Sequence, residues 1–326
     1  MTAHRVLVTG ASGYLGRQVV ARLADPALES RPERIVAHDI RSPAERLRGV
    51  VYEEADIRDP RIVDALAGHA IDTVVHLASI VTPGKGSRRD FEYDVDVNGT
   101  RNLLQACVQQ GVRRMVVSSS GAAYGYHADN PAWLTEDMPV RGNEVFAYAH
   151  HKRLVEEMLA EYRLSHPALE QVVLRIGTIL GATVHNQITD LFEKPRLLAI
   201  RGSDSPFVFI WDQDVVGIIL RAVSGGPPGI YNVAGDGALT IHEIAQRLGK
   251  PTLTLPAWLL QAALALLKPL GLTQYGPEQL DFLRYRPVLL NTRLKTAFGY
   301  TPTYTSAEVF ELYRQARMQA DSANVV

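Results

Sequence analysis

The stretch VTGASGYLG at residues 8–16 constrains this chain more than any other. It ends a short β-rich run, RVLVTG. It also opens a segment, GYLGRQVVARLA, in which Leu15, Val19, Val20 and Leu23 recur at helical spacing. Gly10, Gly13 and Gly16 therefore fall where a strand turns into a helix. Gly10 permits the sharp turn, Gly13 lets backbone N–H groups approach an anion, and Gly16 lets helix and strand pack closely. The helix N-terminus adds a partial positive charge, so Ser12, Gly13, Tyr14 and Leu15 are read as contacts to a pyrophosphate.

That turn sets the rhythm of the first half. RIVAHD, GVVYEEAD, DTVVHLAS and RRMVVSSS read as further strands. FEYDVDVNGTRNLLQACVQQG reads as one long helix, another runs from about residue 143 to 166, and QVVLRIG returns to the sheet. Apolar strand cores alternating with helices predict an α/β fold, a Rossmann-type doubly wound parallel sheet covered on both faces, with right-handed crossovers. Beyond Gly177 the rhythm loosens, although GIYNVAG still reads as a strand and TIHEIAQRLG as a helix. The later residues are expected to form a smaller mixed α/β C-terminal substrate-binding portion. The expected division is residues 1–177 for the nucleotide, with returns near 207–234, and 178–326 mainly for the substrate, the two interleaved.

Asp39 closes the second strand about twenty residues after Gly16, where a carboxylate accepts hydrogen bonds from ribose hydroxyls. It would repel a 2′-phosphate, which favours NAD over NADP. Arg41 is the counter-signal, since a guanidinium pairs with a 2′-phosphate. ADIRD offers Asp56 and Ile57 to the adenine ring. HLAS offers Leu77, Ala78 and Ser79 where the chain passes close to the cofactor, and Ser118 does the same at the fifth strand. All lie at strand C-terminal ends, where open parallel sheets bind ligands.

The segment YAHHK carries the chemistry. Tyr148 and Lys152 are four apart on a helix and share a face. A phenol is a poor base at neutral pH, but a neighbouring ammonium and a positive nicotinamide favour its phenolate form. Ser120, ending the fifth strand, would hydrogen-bond the reacting oxygen. His150 and His151 between the tyrosine and lysine point different ways and are read as bystanders, not metal ligands. No metal is expected.

These motifs in order, TGASGYLG, Asp39, ADIRD, HLAS, VNGTRNLL, SSSGAAYG, YAHHK, LRIGTILG and GIYNVAG, resemble the extended short-chain dehydrogenase/reductases, the NAD-dependent epimerase/dehydratase family. The resemblance runs over nearly the whole chain. It implies a Ser120–Tyr148–Lys152 active site, a bound NAD, and a homodimer formed through the helices over 87–109 and 143–165. It also implies an enzyme that transfers hydride between nicotinamide and a secondary alcohol or ketone. The alternatives are a sugar-nucleotide epimerase or dehydratase and a catalytically silent NAD(H) sensor.

The chain departs from the sugar-nucleotide pattern in three places. Thr178 stands where those enzymes often carry Asn, and Asp96 stands where the family usually shows Asn. The segment SPFVFIWDQDVV keeps Asp214 but lacks the arginine that grips a diphosphate, so Arg201, Arg284 or Arg286 would have to replace it. Thr178, His185, Asn186 and Trp211 are named, with Ser120, as substrate contacts. The apolar stretch LPAWLLQAALALLKPLGL at 255–272 is read first as packing against the sheet or a neighbouring subunit, and second as a lid over an apolar substrate.

Composition excludes other classes. Lys plus Arg number 34 against 35 Asp plus Glu, which gives no electrostatic case for nucleic acid. The one cysteine, Cys107, allows neither an intrachain disulfide nor a thiolate zinc cluster, and its apolar helical setting reads as a core thiol. The N-terminus enters a strand pattern at once, and no apolar run is long enough to span a bilayer comfortably. The expected partner is a small-molecule substrate, with an apolar one in view, and the expected compartment is the cytoplasm.

Overall fold

The computed structural model describes residues 4–81, 89–268, 276–277 and 279–323. Seven strands form one parallel sheet: β1 (Arg5–Thr9), β2 (Arg34–Asp39), β3 (Val50–Glu54), β4 (Thr73–His76), β5 (Arg114–Ser120), β6 (Glu170–Ile176) and β10 (Gly229–Val233). Their spatial order is β10-β6-β5-β4-β1-β2-β3, with every neighbouring pair parallel. The order reverses between β1 and β4. A crevice opens there because the connections leave the two strands toward opposite sides. Four shorter strands make two further parallel pairs, β7 (Thr178–Leu180) with β9 (Phe209–Trp211) and β8 (Leu197–Ile200) with β11 (Thr252–Leu255).

Helices cover both faces of the large sheet, as its doubly apolar strands require. On one side α1 (Tyr14–Ala24) and α7 (Asp212–Ser224) bury Val19, Val20, Leu23, Val215, Ile218 and Ile219 against β1, β2 and β6. On the other, α2 (Ile62–Gly68), α4 (Gly99–Gln109) and α5 (Ala147–Ser165) bury Leu66, Leu103, Leu104, Cys107, Met158 and Leu159. Each such side chain stabilises the fold by about 1.5–3 kcal/mol relative to exposure. Cys107 is fully buried, and burial pushes its thiol up to about 12.

The long helix expected over FEYDVDVNGTRNLLQACVQQG forms, with one π-helical turn in its course. A short α3 (Arg89–Tyr93) leads into a π-helical turn over Asp94–Asn98, and α4 follows. The residues expected to form it keep helical pitch on either side, but the π-turn inserts one extra residue and swings Asp96 inward.

A separate cluster lies in the C-terminal half. Phe192 of α6 (Gln187–Glu193), Phe207, Phe209 and Phe310 of α11 (Ser306–Ala323) pack with Ile244 of α8 (Ile241–Leu248). Capping boxes start α6 at Asn186 and α8 at Thr240, where the reciprocal side-chain bonds satisfy otherwise orphaned N–H groups. By contrast α9 (Ala257–Leu267) has no buried residue, and Trp258 is 69% exposed. It does not pack into the large sheet, one of the two partners expected for that stretch, but lies against α10 (Gln279–Arg284). The end of the stretch, 269–272, falls outside the described residues. Among the described residues no helix is long and apolar enough to cross a membrane.

Candidate active site

The C-terminal ends of the central strands open into a cleft of about 440 Å³. Gly10, Gly13, Tyr14, Leu15 and Gly16 line one end. Gly10 has φ +68°, and a Cβ there would come within 2.7 Å of the Ala78 nitrogen. A Cβ on Gly16 would fall 2.1 Å from the Gly10 oxygen. Both values lie far inside any real contact, so the loop, the end of β4 and the start of α1 meet backbone to backbone. Leu77 and Ser79 line the same end, with Ala78 beneath the Gly10 turn.

Asp39 serves the loop. Its two carboxylate oxygens accept the backbone N–H groups of Ser12 and Arg41 at 3.0 and 3.1 Å, and the Ser12 hydroxyl donates to the Arg41 carbonyl at 2.6 Å. Asp56 is held by Arg58, whose Nε and Nη2 reach it at 3.0 and 2.6 Å. That bonding keeps its carboxyl below the usual carboxylate range. Ile57 is buried in the core beside Gly99, and its carbonyl accepts the Asn102 amide at 2.8 Å. Asp56 and Ile57 both stand outside the lining of this cleft.

Ser118, Ser120, Tyr148 and Lys152 do come together in it. The three serines ending β5 have different partners. Ser118 donates to the His76 carbonyl at 3.1 Å, and buried Ser119 donates to Glu156. Ser120 accepts the Ala122 N–H at 3.1 Å, which leaves its hydroxyl proton available to a ligand. On α5 the Lys152 ammonium donates to the Ser118 carbonyl at 2.9 Å and lies 5.6 Å from the centre of the Tyr148 ring. Lys152 is 7% exposed, so its stem is fixed and only its head reaches the cleft.

Two buried histidines under this site carry more structure than the sequence revealed. His76 meets Thr9 Oγ1 through Nδ1 at 2.7 Å and Thr100 Oγ1 through Nε2 at 2.9 Å. Thr100 spends its own proton on the Asp96 carbonyl, so His76 carries its hydrogen on Nε2 and accepts from Thr9. Burial, helped by the nearby Lys152 charge, pulls His76 down to about 3 and keeps it neutral. His151 is buried, 1% exposed, and its Nδ1 meets the Asp96 carboxylate at 3.1 Å. His150 lies part-buried within 3.2 Å of Arg153.

Thr178, His185 and Asn186 line the other end of the cleft. The Asn186 side-chain oxygen Oδ1 is occupied capping α6, accepting the backbone N–H groups of Ile188 and Thr189 at 2.9 and 3.0 Å. Trp211 is not brought to the cleft. It borders a shallow hollow on the far side of Tyr14, beside Arg17, Asp212 and Gln213. Asp214 is buried and accepts from Tyr300 and Thr303, a fixture of the C-terminal packing.

Sequence reasoning missed the walls of this end: Tyr126, Phe207, Phe282 and Leu289. Of the three arginines considered, Arg201 is exposed and Arg284 stacks on Tyr285, while Arg286 lines the cleft. Its guanidinium lies 3.9 Å over the Phe207 ring and 5.3 Å from that of Phe282. One Nη donates to Ser205 Oγ at 3.0 Å, and the Nε is buried with no hydrogen-bond partner among the described residues. Burial draws Arg286 down to about 10, which leaves it cationic at neutral pH. No local pattern marked these residues, since the chain brings them from separated loops.

A parallel sheet with a glycine cradle at its switch point, and a tyrosine–lysine pair on the adjoining helix, define a dinucleotide-dependent enzyme class. The family model described as the NAD dependent epimerase/dehydratase family matches residues 6–234, and the chain belongs to that family of enzymes. An uncharacterized protein of Mycobacterium tuberculosis is 28% identical over 318 residues, spanning 96% of this chain and 84% of its own. Sterol demethylase protein B of Methylococcus capsulatus is 31% identical, spanning 92% of this chain and 94% of its own. The UDP-glucose 4-epimerase of Thermotoga maritima, solved with UDP-glucose, shares the fold. Its TM-score is 0.72 over 97% of this chain and 99% of that one, at 18% identity.

Proposed function

We propose that this protein is an NAD-dependent oxidoreductase that interconverts a secondary alcohol and a ketone on a largely apolar molecule bearing one anionic group. The observation that carries this reading is the substrate end of the cleft. Tyr126, Phe207, Phe282 and Leu289 surround the single guanidinium of Arg286, whose Nε is unpaired. Apolar walls select an apolar skeleton, and a desolvated arginine needs an anion to complete its bonding. The near end-to-end match to sterol demethylase protein B, whose name points to a sterol, supports the apolar skeleton.

The glycine cradle fits a dinucleotide, because a Cβ at Gly10 would strike the end of β4 and one at Gly16 the loop itself, so only glycines let the turn close tightly enough to present its N–H groups to a pyrophosphate. Gly10, Ser12, Gly13, Tyr14, Leu15 and Gly16 would hold the pyrophosphate, Asp39 and Arg41 the adenosine ribose, and Leu77, Ala78, Ser79 and Ser118 the central portion. Asp56 and Ile57 would border the adenine side. Bound NAD supplies the hydride acceptor or donor. Tyr148 then exchanges the proton at the substrate oxygen, Ser120 orients that oxygen through its free O–H, and Lys152 favours the phenolate and grips the nicotinamide ribose. Residues 1–177 with 207–234 would serve the cofactor and the rest mainly the substrate, in a homodimer paired through α3–α4 and α5.

A second reading is a sugar-nucleotide epimerase, favoured by the same Arg286, since a diphosphate is also an anion. The two part in one assay. Purified protein with NAD is given hydroxysteroid carboxylates in one arm and UDP-glucose in the other. Net NADH formation in the first arm, abolished by Tyr148→Phe, is the expected result. Conversion of UDP-glucose to UDP-galactose with no net NADH would overturn the oxidoreductase reading in favour of the epimerase.

A further inference from the structure

We propose that Asp96 and His151 form a buried clamp that fixes the two walls of the nucleotide end against each other, so that Asp96 is a positioning residue for cofactor binding. This rests on the reading of that end as an NAD site.

The clamp has two arms from one carboxylate. One Asp96 oxygen accepts the backbone N–H of Ile80 at 2.8 Å, and the other meets His151 Nδ1 at 3.1 Å. Ile80 directly follows Leu77, Ala78 and Ser79, the loop on which the Gly10 turn rests. His151 directly precedes Lys152 on α5 and lies three residues beyond Tyr148. A single side chain therefore ties the loop after β4 to the helix that carries the tyrosine–lysine pair. The π-turn makes this possible: it aims Asp96 into the seam between those elements and leaves the carboxylate 4% exposed.

The protonation pattern follows from the partners. An ionised carboxylate only accepts, so His151 must carry a hydrogen on Nδ1. Its Nε2 is buried with no hydrogen-bond partner among the described residues, and the Tyr93 ring packs edge-on at 5.6 Å. The imidazole is thus held by one directional bond and one aromatic face. A second strut runs in parallel from the same π-turn, since the Asp96 carbonyl accepts from Thr100 and Thr100 accepts from His76. His76 then meets Thr9, whose hydroxyl also takes the Ala78 N–H at 3.4 Å. The two struts reach the cofactor loop at Ala78 and Ile80.

Mere packing does not account for a carboxylate in this seam. A buried carboxylate is costly unless both oxygens are paired, and apolar residues of similar volume would fill the space at less cost. What the pair adds is direction. It sets where the β4 loop stands relative to α5, and with it the Lys152 contact to the Ser118 carbonyl.

The test measures NAD affinity directly and needs no substrate. His151→Asn places an amide N–H where Nδ1–H stands, whereas His151→Leu keeps bulk and removes the donor. Asp96→Val removes both acceptors at similar volume. His151→Leu and Asp96→Val are expected to weaken NAD binding about tenfold or more, and His151→Asn to stay within about threefold of the parent. Hydrogen exchange at the Ile80 amide should quicken in Asp96→Val and His151→Leu and not in His151→Asn. Equal NAD affinity for His151→Leu, His151→Asn and the parent would overturn the clamp, as would affinity that follows melting temperature and not the donor. If His151→Leu does not fold, Asp96→Val against His151→Asn gives the same decision. A parent protein that binds no NAD would sink the cofactor reading itself, a separate outcome.

Discussion

The glycine end of the cleft is walled by backbone, and the aromatic end by side chains. At the first, Gly10 and Gly16 bring a loop, a strand end and a helix start to closest approach, and Asp39 fastens that loop through two main-chain N–H groups. At the second, Tyr126, Phe207, Phe282 and Arg286 arrive from three distant parts of the chain and touch through rings and a guanidinium. A wall of backbone tolerates almost no change at its glycines and binds the part of a ligand common to many reactions. A wall of side chains can be rebuilt one residue at a time.

The hardest blow to that contrast is Gly16→Val. The added atoms would meet the Gly10 oxygen, and we expect a loss of more than about 3 kcal/mol in urea unfolding, with NAD binding abolished. A variant that folded and bound NAD normally would show that the loop is not the rigid wall described. Next comes Tyr148→Phe, which should cut turnover by about a hundredfold or more while leaving unfolding free energy within about 1 kcal/mol. Arg286→Met sharpens the comparison from the other end. It should raise KM for an anionic substrate about tenfold to a hundredfold and leave NAD affinity unchanged. A change in NAD affinity instead would mean the two ends are not independent.

The smallest effect is a pH slope. Folded His76 sits near 3, held down first by burial, against about 6.5 when unfolded. Between those values the unfolded chain binds a proton that the folded chain refuses. This contribution is complete above about pH 6.5 and shrinks by about 1.4 kcal/mol per pH unit as pH falls. His38, also lowered by burial, acts in the same direction. Urea unfolding at pH 7 and pH 5 should show a shallower loss in His76→Gln than in the parent.

The same contrast explains what could be read in advance. Gly10, Gly16, Tyr148 and Lys152 sit on regular elements or the turn between them, so their shared position at the cleft could be read from spacing. His151 hid its role because Asp96 reaches it from 55 residues away, and the π-turn that aims Asp96 has no periodic signature. Arg286 hid among three arginines, since only the Phe207 and Phe282 rings distinguish it. Trp211 was named for a site it does not reach, because the turn from β9 into α7 carries it to the outer side of Tyr14. The apolar pattern of α9 was visible, but not that all of it would stand unburied.

That last helix gives the molecule a built-in optical probe. Of the three tryptophans, none lines the cleft; Trp133 is 40% exposed, Trp211 borders the hollow beside Tyr14, and Trp258 stands on α9. The indole of Trp258 should emit at long wavelength and be quenched readily by iodide. A blue shift with lost quenching would report that α9 has been covered.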